Sequence, residues 1–195
     1  MINYINALTK EDLLGILYLQ KRNLANSLTK KEAETEGFLT VRHNYKALKS
    51  LNDIEKHIVA KDNITIVGYL LAMTNQLKLA LPILTPMFNL FDNILFANRT
   101  ISTYTYIVVG QVCISKNYRG QGILDTCYAA YKAYFVTKYD FAITEIASTN
   151  LRSLKAHKRI GFEEIDVYLS PDGTEWRIVL WDWNNIDKSF LNKSG

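Results

Sequence analysis

Cysteine and histidine are scarce in this chain, and each scarcity closes off a class of function. Its 195 residues hold two cysteines, Cys113 and Cys127, both in apolar surroundings. They build neither a disulfide framework nor a metal-type spacing, so reduced, packed thiols are expected, as in a cytoplasmic protein. The histidines His43, His57 and His157 lie far apart and form no ligand cluster, so no metal is expected. An excess of one charge is also lacking. Lys and Arg number 23 and Asp and Glu 19, a net charge of +4, and the basic residues are scattered. That argues against a nucleic-acid partner. The most apolar region, Leu79 to Ala97, is interrupted by Pro82, Pro86, Asn89, Asp92 and Asn93. It is too short and too polar to span a bilayer, so no membrane partner is expected. The opening residues MINYINALTKED lack the basic-then-apolar order of a secretory signal, and a cytoplasmic location follows as the expectation.

What the chain does have is enough apolar material for a packed core: 48% hydrophobic against 22% charged residues. Its length suits one domain spanning 1–195. INYINA reads as a first strand. Thr9 and Asp12 then form a capping pair before Leu13, Ile16 and Leu17 at helical spacing. Thr29 and Glu32 open a second short helix that Gly37 ends, and YKALKSLNDI is a third. KHIVAKDNITIVGYLLAM reads as two strands around a turn at Asp62-Asn63. Thr85 and Pro86 look like a cap and a first helical residue, with Met87, Leu90, Phe91, Ile94 and Leu95 on one helical face. The rest reads strand (Tyr104 to Ile114), helix, strand (FAITEIAS), helix (NLRSLKAHKRIGF), strand, strand. The fold class predicted is mixed α/β with helices flanking a sheet.

One stretch stands out. SKNYRGQGILD, Ser115 to Asp125, puts two glycines between an apolar strand and a helix. Helix N-terminal amides lack intrahelical partners, and the helix dipole favours negative charge there. Gly120 and Gly122 would let an anion approach bare backbone, with Arg119 and Gln121 as side-chain donors. A plain strand-to-helix turn is the other reading. The stretch is not a Walker loop, since no Gly-Lys-Ser/Thr follows. It is not a dinucleotide fingerprint, since Asp125 stands where the third glycine belongs.

About thirty residues on, NLRSLKAHKRIGF carries Asn150, the small Ser153 and the pair Gly161-Phe162. The two stretches together resemble the GCN5-related N-acetyltransferase (GNAT) superfamily. Its acetyl-CoA signature Arg/Gln-x-x-Gly-x-Gly/Ala is matched by Arg119 and Gly122, while Leu124 departs from it. The resemblance covers roughly residues 105–183, with 75–103 as a helical insertion. It implies an acyl-CoA N-acyltransferase fold, GNAT-like, with a mostly antiparallel central sheet. It also implies transfer of an acetyl group from acetyl-CoA to a primary amine of a small molecule or protein. A non-catalytic acyl-CoA-binding or sensor protein is the alternative.

On that resemblance, Val112, Cys113 and Ile114 hold the pantetheine arm through backbone hydrogen bonds. Arg119, Gly120, Gln121, Gly122, Ile123 and Leu124 receive the pyrophosphate. Asn150 caps its helix or bonds the CoA arm, and Ser153 lets cofactor and helix approach. His157 stands where many members carry a tyrosine that protonates the leaving thiolate. As an imidazole it suits a general acid, and it suits equally a packed core residue. Glu145 lies on one face of its strand with Ile143 and Ala147, a carboxylate among apolar residues. It is the candidate base, or else a structural acid. Gln111 is a second polar residue in an apolar strand. Cys113 reads as a nucleophile only if exposed; in a buried strand it is inert. Residues 75–102 shape an acceptor pocket, add to the core, or meet a second copy of the chain.

Overall fold

The computed structural model describes residues 1–24, 38–39, 41–76 and 84–184. The helix expected from Thr29 to Gly37 lies outside them. Strand β1 (Ile2–Asn6) leads into helix α1 (Lys10–Lys21), which opens as its sequence predicts. Thr9 Oγ1 accepts from Asp12 N, and Asp12 Oδ2 accepts from Thr9 N. Such caps contribute about 1 kcal/mol. Asp12 is buried, which pushes its pKa up; the Lys61 ammonium at 2.6 Å and the amides of Thr9 and Leu8 outweigh that and hold it lower. Helix α2 (Tyr45–Ile54) is capped by Asn44 and buries Leu48 and Leu51. Strands β2 (Ile58–Asp62) and β3 (Thr65–Met73) form the expected hairpin, with Asn63 in the left-handed region at φ 52°.

The next segment differs from the sequence reading. Helix α3 (Thr85–Asn93) is real, but it starts one residue earlier, with Leu84 at the cap, and stops before Ile94. Phe88 and Phe91 are its buried residues; Leu95, placed on the same face by periodicity, is 69% exposed. The reason is local. Ala97 and Asn98 adopt φ 47° and 65°, the paired left-handed residues of a two-residue hairpin turn. That turn pulls β4 (Leu95–Phe96) and β5 (Arg99–Thr100) into a small separate sheet.

Strand β6 (Tyr106–Ile114) follows, then helix α4 (Ile123–Phe135), β7 (Phe141–Ala147), α5 (Leu151–Ile160), β8 (Glu163–Leu169) and β9 (Glu175–Asp182). The seven long strands make one sheet in the order β1-β2-β3-β6-β7-β9-β8. All its pairs are antiparallel except β6 with β7. This is the expected mixed α/β architecture with a mostly antiparallel central sheet and flanking helices.

Two apolar faces sandwich that sheet. On one, Cys127, Tyr128, Tyr131 and Phe135 of α4 pack on Ile107, Val109 and Ala142. On the other, Phe88 and Phe91 of α3 meet Val108, Phe141, Ile143 and Ile178, and α1 covers Tyr69 and Leu71. The described part of residues 75–103 thus contributes core. Among the described residues, no helix is long and apolar enough to cross a membrane.

Two irregularities in β6 prepare the site. Opposite β3, Leu71 pairs with Gln111 and Ala72 with Val109, so Gly110 is an extra residue, a β-bulge. The bulge changes the parity of the strand. Ile107 and Val109 face α4 before it, and Val112 and Ile114 after it. On the other edge, β6 pairs with β7 only from Tyr106–Phe141 to Val108–Ile143. Thr144 Oγ1 caps the last rung by donating to the Val109 carbonyl at 2.8 Å. Beyond it the two parallel strands separate.

Candidate active site

The gap between the diverging strands continues into a cleft of about 550 Å³. Its floor is Val112, Cys113 and Ile114, and its end wall is the turn from Arg119 to the start of α4. The turn is built on two left-handed glycines. Gly120 and Gly122 both have φ 75°, and a Cβ built on either meets nothing within 4 Å. The glycines therefore serve the backbone conformation and leave open space before them. Gly122 is also the N-cap of α4, with no side chain capping the helix. Four cations, Arg119, Arg152, Lys155 and Arg159, line the cleft, against a single acid, Asp125, among the described residues. Arg159 and Asp125 pair at 2.8 Å. An open helix N-terminus with a cationic rim is a phosphate-binding arrangement.

The expected cofactor residues divide into two groups. Val112, Cys113, Ile114, Arg119, Gly120, Gly122, Ile123, Leu124, Asn150 and Ser153 all line this cleft. Gln121 does not; its amide donates to the Asn117 carbonyl at 2.9 Å. Arg119 is tied into the protein, through Nε to the Ile114 carbonyl and through Nη2 to Asn23 Oδ1 at 2.7 Å. Burial pushes the Cys113 thiol up to about 12, although the nearby Arg119 charge works the other way. A thiol held protonated is no nucleophile at neutral pH.

Asn150 caps α5, accepting from Ser153 N at 3.2 Å. His157 sits two turns on and lines both the cleft and the gap. Its Nδ1 lies 2.8 Å from the Ser153 carbonyl, which can only accept, so Nδ1 carries the proton. Nε2 is then the acceptor for the Tyr128 hydroxyl, 2.6 Å away. Burial pushes the imidazole pKa down to about 4, the Ser153 carbonyl opposing. At neutral pH His157 is an uncharged link between α4 and α5 with both nitrogens engaged.

Glu145 lines the gap, on the wall opposite β6. Burial raises its pKa, while the Tyr168 hydroxyl, donating to Oε2 at 2.7 Å, pulls it back down. Across the gap, Gln111 belongs to a buried polar network. Its Oε1 accepts from Tyr69 OH at 2.6 Å and from Gln20 Nε2 at 2.8 Å, and its Nε2 donates to the Val41 carbonyl. Gln20 in turn accepts from His43 N. Among the described residues no group of three or more His, Cys, Asp or Glu side chains can hold a metal ion.

Comparison with known proteins gives this fold a family. A sequence model of the acetyltransferase (GNAT) family covers residues 20–162. The chain belongs to the GNAT acetyltransferase family. No curated protein sequence matches it significantly. Among solved structures it is similar to a chain of the NatC complex bound to Gag peptide and CoA. Identity there is 13%, over 93% of this chain and 98% of that one, with a TM-score of 0.64. Arabidopsis thaliana Naa50, in complex with the bisubstrate analogue CoA-Ac-MVNAL, is 14% identical over 93% and 99%, with a TM-score of 0.60. The ribosomal-protein-S18-alanine N-acetyltransferase of Escherichia coli is 12% identical over 93% and 94%, with a TM-score of 0.57. At such identities the likeness is one of fold.

Several residues in and around this candidate site were not singled out from the sequence. Arg152, Lys155 and Arg159 recur at helical spacing on α5 and share the cleft-facing side, a pattern that a helical projection of NLRSLKAHKRIGF reveals. Gln20, His43, Tyr69 and Tyr168 carry no such signal, because each reaches its partner only through the fold.

Proposed function

We propose that the chain is an N-acetyltransferase that moves an acetyl group from acetyl-CoA to a primary amine by direct attack on the thioester. One observation carries the reading: the unpaired edge of β6 leads directly into a cleft that ends on the uncapped start of α4, at two left-handed glycines. Space, bare amides and cationic rim suit a long thioester with phosphates at one end. Backbone groups of Val112, Cys113 and Ile114 bind the pantetheine arm. Amides from Gly120 to Leu124 receive the pyrophosphate, the Arg119 amide being held by the Lys116 carbonyl at 3.3 Å; Gln121 contributes its backbone alone. Leu124 lines the cleft without closing off Gly120 or Gly122. Arg152 and Lys155 add charge toward the phosphates.

Glu145 takes one proton from the acceptor ammonium, forming a carboxylic acid and freeing the amine lone pair. That pair forms the new C–N bond as the C–S bond breaks. The second proton lost by nitrogen goes to the departing thiolate, and the Glu145 proton returns to solvent. His157, neutral and doubly bonded, shapes the wall and takes no part as a charged acid. The Gag peptide of the NatC complex and the CoA-Ac-MVNAL analogue on Naa50 are consistent with the protein-amine form of the acceptor.

Acetyl-CoA at saturating concentration is expected to raise the thermal midpoint, since it binds only the folded state. Thiol release should then depend on an added amine. Absence of any thermal shift sinks the reading; a shift without amine-dependent release converts it to an acyl-CoA sensor.

A further inference from the structure

Glu145 and Tyr168 are brought together across a distance that makes their contact specific. In the sheet Glu145 pairs with Ile178 of β9, and Ile178 pairs with Asp166 of β8. Tyr168 is two residues further along β8, on the same face and opposite Trp176. Two interstrand spacings of about 4.8 Å separate β7 from β8. A tyrosine can reach across β9 over that span, and Tyr168 does, ending on one carboxylate oxygen at 2.7 Å. Asp166 shares Glu145's row, but its Oδ1 turns to its own neighbour, accepting from Val167 N.

We propose that Tyr168 is a positioning residue for Glu145: its hydroxyl occupies Oε2 and leaves Oε1 as the atom that takes the proton from the acceptor amine. This rests on the acetyltransferase reading. A carboxylate free to rotate would present either oxygen, and its protonated form would have several orientations of similar energy. With Tyr168 donating to Oε2, that oxygen can accept in both protonation states, so the hydrogen bond survives the transfer. The new O–H bond forms at Oε1, as the ammonium N–H bond breaks and leaves its electron pair on nitrogen.

The other groups around this pair leave the assignment intact. Within the gap, among the described residues, the other titratable neighbour is the neutral His157 from α5, and Gln111, Thr144, Asn150 and Ser153 carry no charge. Burial, then the hydrogen bond to Glu145 and its charge, and last the charge of Asp172 at the hairpin tip, raise the pKa of the Tyr168 phenol. A phenol so held is a donor and stays protonated. Trp176, which lines the gap beside Glu145, donates its Nε1–H to Ser170 Oγ. Tyr168 is thereby the side chain that holds the carboxylate from the hairpin side.

The test uses the full chain with Tyr168→Phe, Glu145→Gln and the double variant. Carbon-13 NMR on protein labelled at the glutamate carboxyls assigns Glu145 as the resonance missing from Glu145→Gln. In Tyr168→Phe its midpoint should move to higher pH, because the lost hydrogen bond favoured the carboxylate. An unchanged midpoint overturns the proposal. Thiol release is followed with acetyl-CoA and two probe amines, a hexapeptide with a free N-terminus and spermidine. Tyr168→Phe should move the acid limb of kcat/KM the same way and lower its plateau on the order of tenfold, the worth of a hydrogen bond to a charged group. The KM for acetyl-CoA should not change. Adding Tyr168→Phe to Glu145→Gln should cost nothing more; an equal loss on both backgrounds shows a merely structural tyrosine and overturns the proposal. If the wild type releases no thiol with either amine, the acetyltransferase reading fails on these acceptors, and the carboxyl titration still decides whether Tyr168 holds Glu145.

Discussion

Nε2 of His157 accepts the Tyr128 hydroxyl at 2.6 Å, and this bond ties α4, where the cleft ends, to α5, which forms its side wall. Tyr128 is fully buried and packs edge-on against His157, Phe162 and Trp181. Removing its hydroxyl strands a buried acceptor. Tyr128→Phe is therefore expected to lose about 1–3 kcal/mol in urea denaturation. Because Tyr128 does not line the cleft, acetyl-CoA affinity should stay within about twofold.

The same burial makes stability depend on pH. His157 is pushed down to about 4 and His57 to about 3, in both cases chiefly by burial. The unfolded chain would bind those protons at an ordinary pKa near 6.5. A depressed histidine contributes stability that is whole above that value and lost as pH falls toward the folded pKa. Through these two histidines the unfolding free energy should decline from about pH 6.5 to pH 4, the pair taking up roughly two protons per unfolding event near pH 5, and His43, also lowered by burial, adds in the same direction. Glu145, with its raised pKa, works in the opposite direction and offsets part of the slope. Denaturant titrations at half-unit intervals measure it; a flat profile would show that both histidines titrate normally.

How far the sequence foretold all this depended on whether a residue's role is local. Thr9 and Asp12, Asn150 and Gly161 act on neighbours within a turn, and their helices begin or end where the pattern says. Gly120 and Gly122 were legible for the same reason. Leu95 misled, because helical periodicity cannot see that Ala97 and Asn98 will turn the chain back. His157 could be read in the sequence as a general acid or as a packed core residue, and its burial against α4 favours the second. Tyr168 and Gln20 were invisible, since their partners lie 23 and 91 residues away.

Gly122 offers a test of the phosphate end. Gly122→Ala places a Cβ on a left-handed residue, at a cost of about 1–2 kcal/mol in stability, with no clash inside the protein. Gly122→Asp adds the same strain and a negative charge facing the cleft. At an effective dielectric near 20, a charge about 4 Å from a phosphate opposes it by about 4 kcal/mol. Acetyl-CoA affinity, by calorimetry, should fall at least tenfold more in Gly122→Asp than in Gly122→Ala. Equal losses would place the phosphates elsewhere.

Arg152 and Lys155 make a separate claim, since they act through charge and stand at the cleft's rim. Reversing either to Glu should weaken acetyl-CoA several-fold at low salt, and the difference from wild type should shrink as salt rises toward 1 M, where the screening length falls to about 3 Å. A salt-independent loss would indicate damage to α5 itself.

Glu145→Gln addresses the chemistry directly. Glutamine keeps the side chain's size, and its amide oxygen can still accept from Tyr168, so the fold and acetyl-CoA binding should both persist. What it cannot do is take a proton. A general base contributes about 10²- to 10⁴-fold to a rate, so kcat/KM for the amine should fall by at least about 10² with the thermal shift by acetyl-CoA retained. The pH profile supplies an independent sign. In the wild type the rate should rise with pH through a midpoint above the ordinary glutamate range, because burial raises the Glu145 pKa. That limb should be absent from Glu145→Gln, whose residual rate follows the ionisation of the free amine alone. Undiminished turnover in the variant would leave Glu145 as a buried acid held by Tyr168, and the base would have to be solvent water in the gap between β6 and β7.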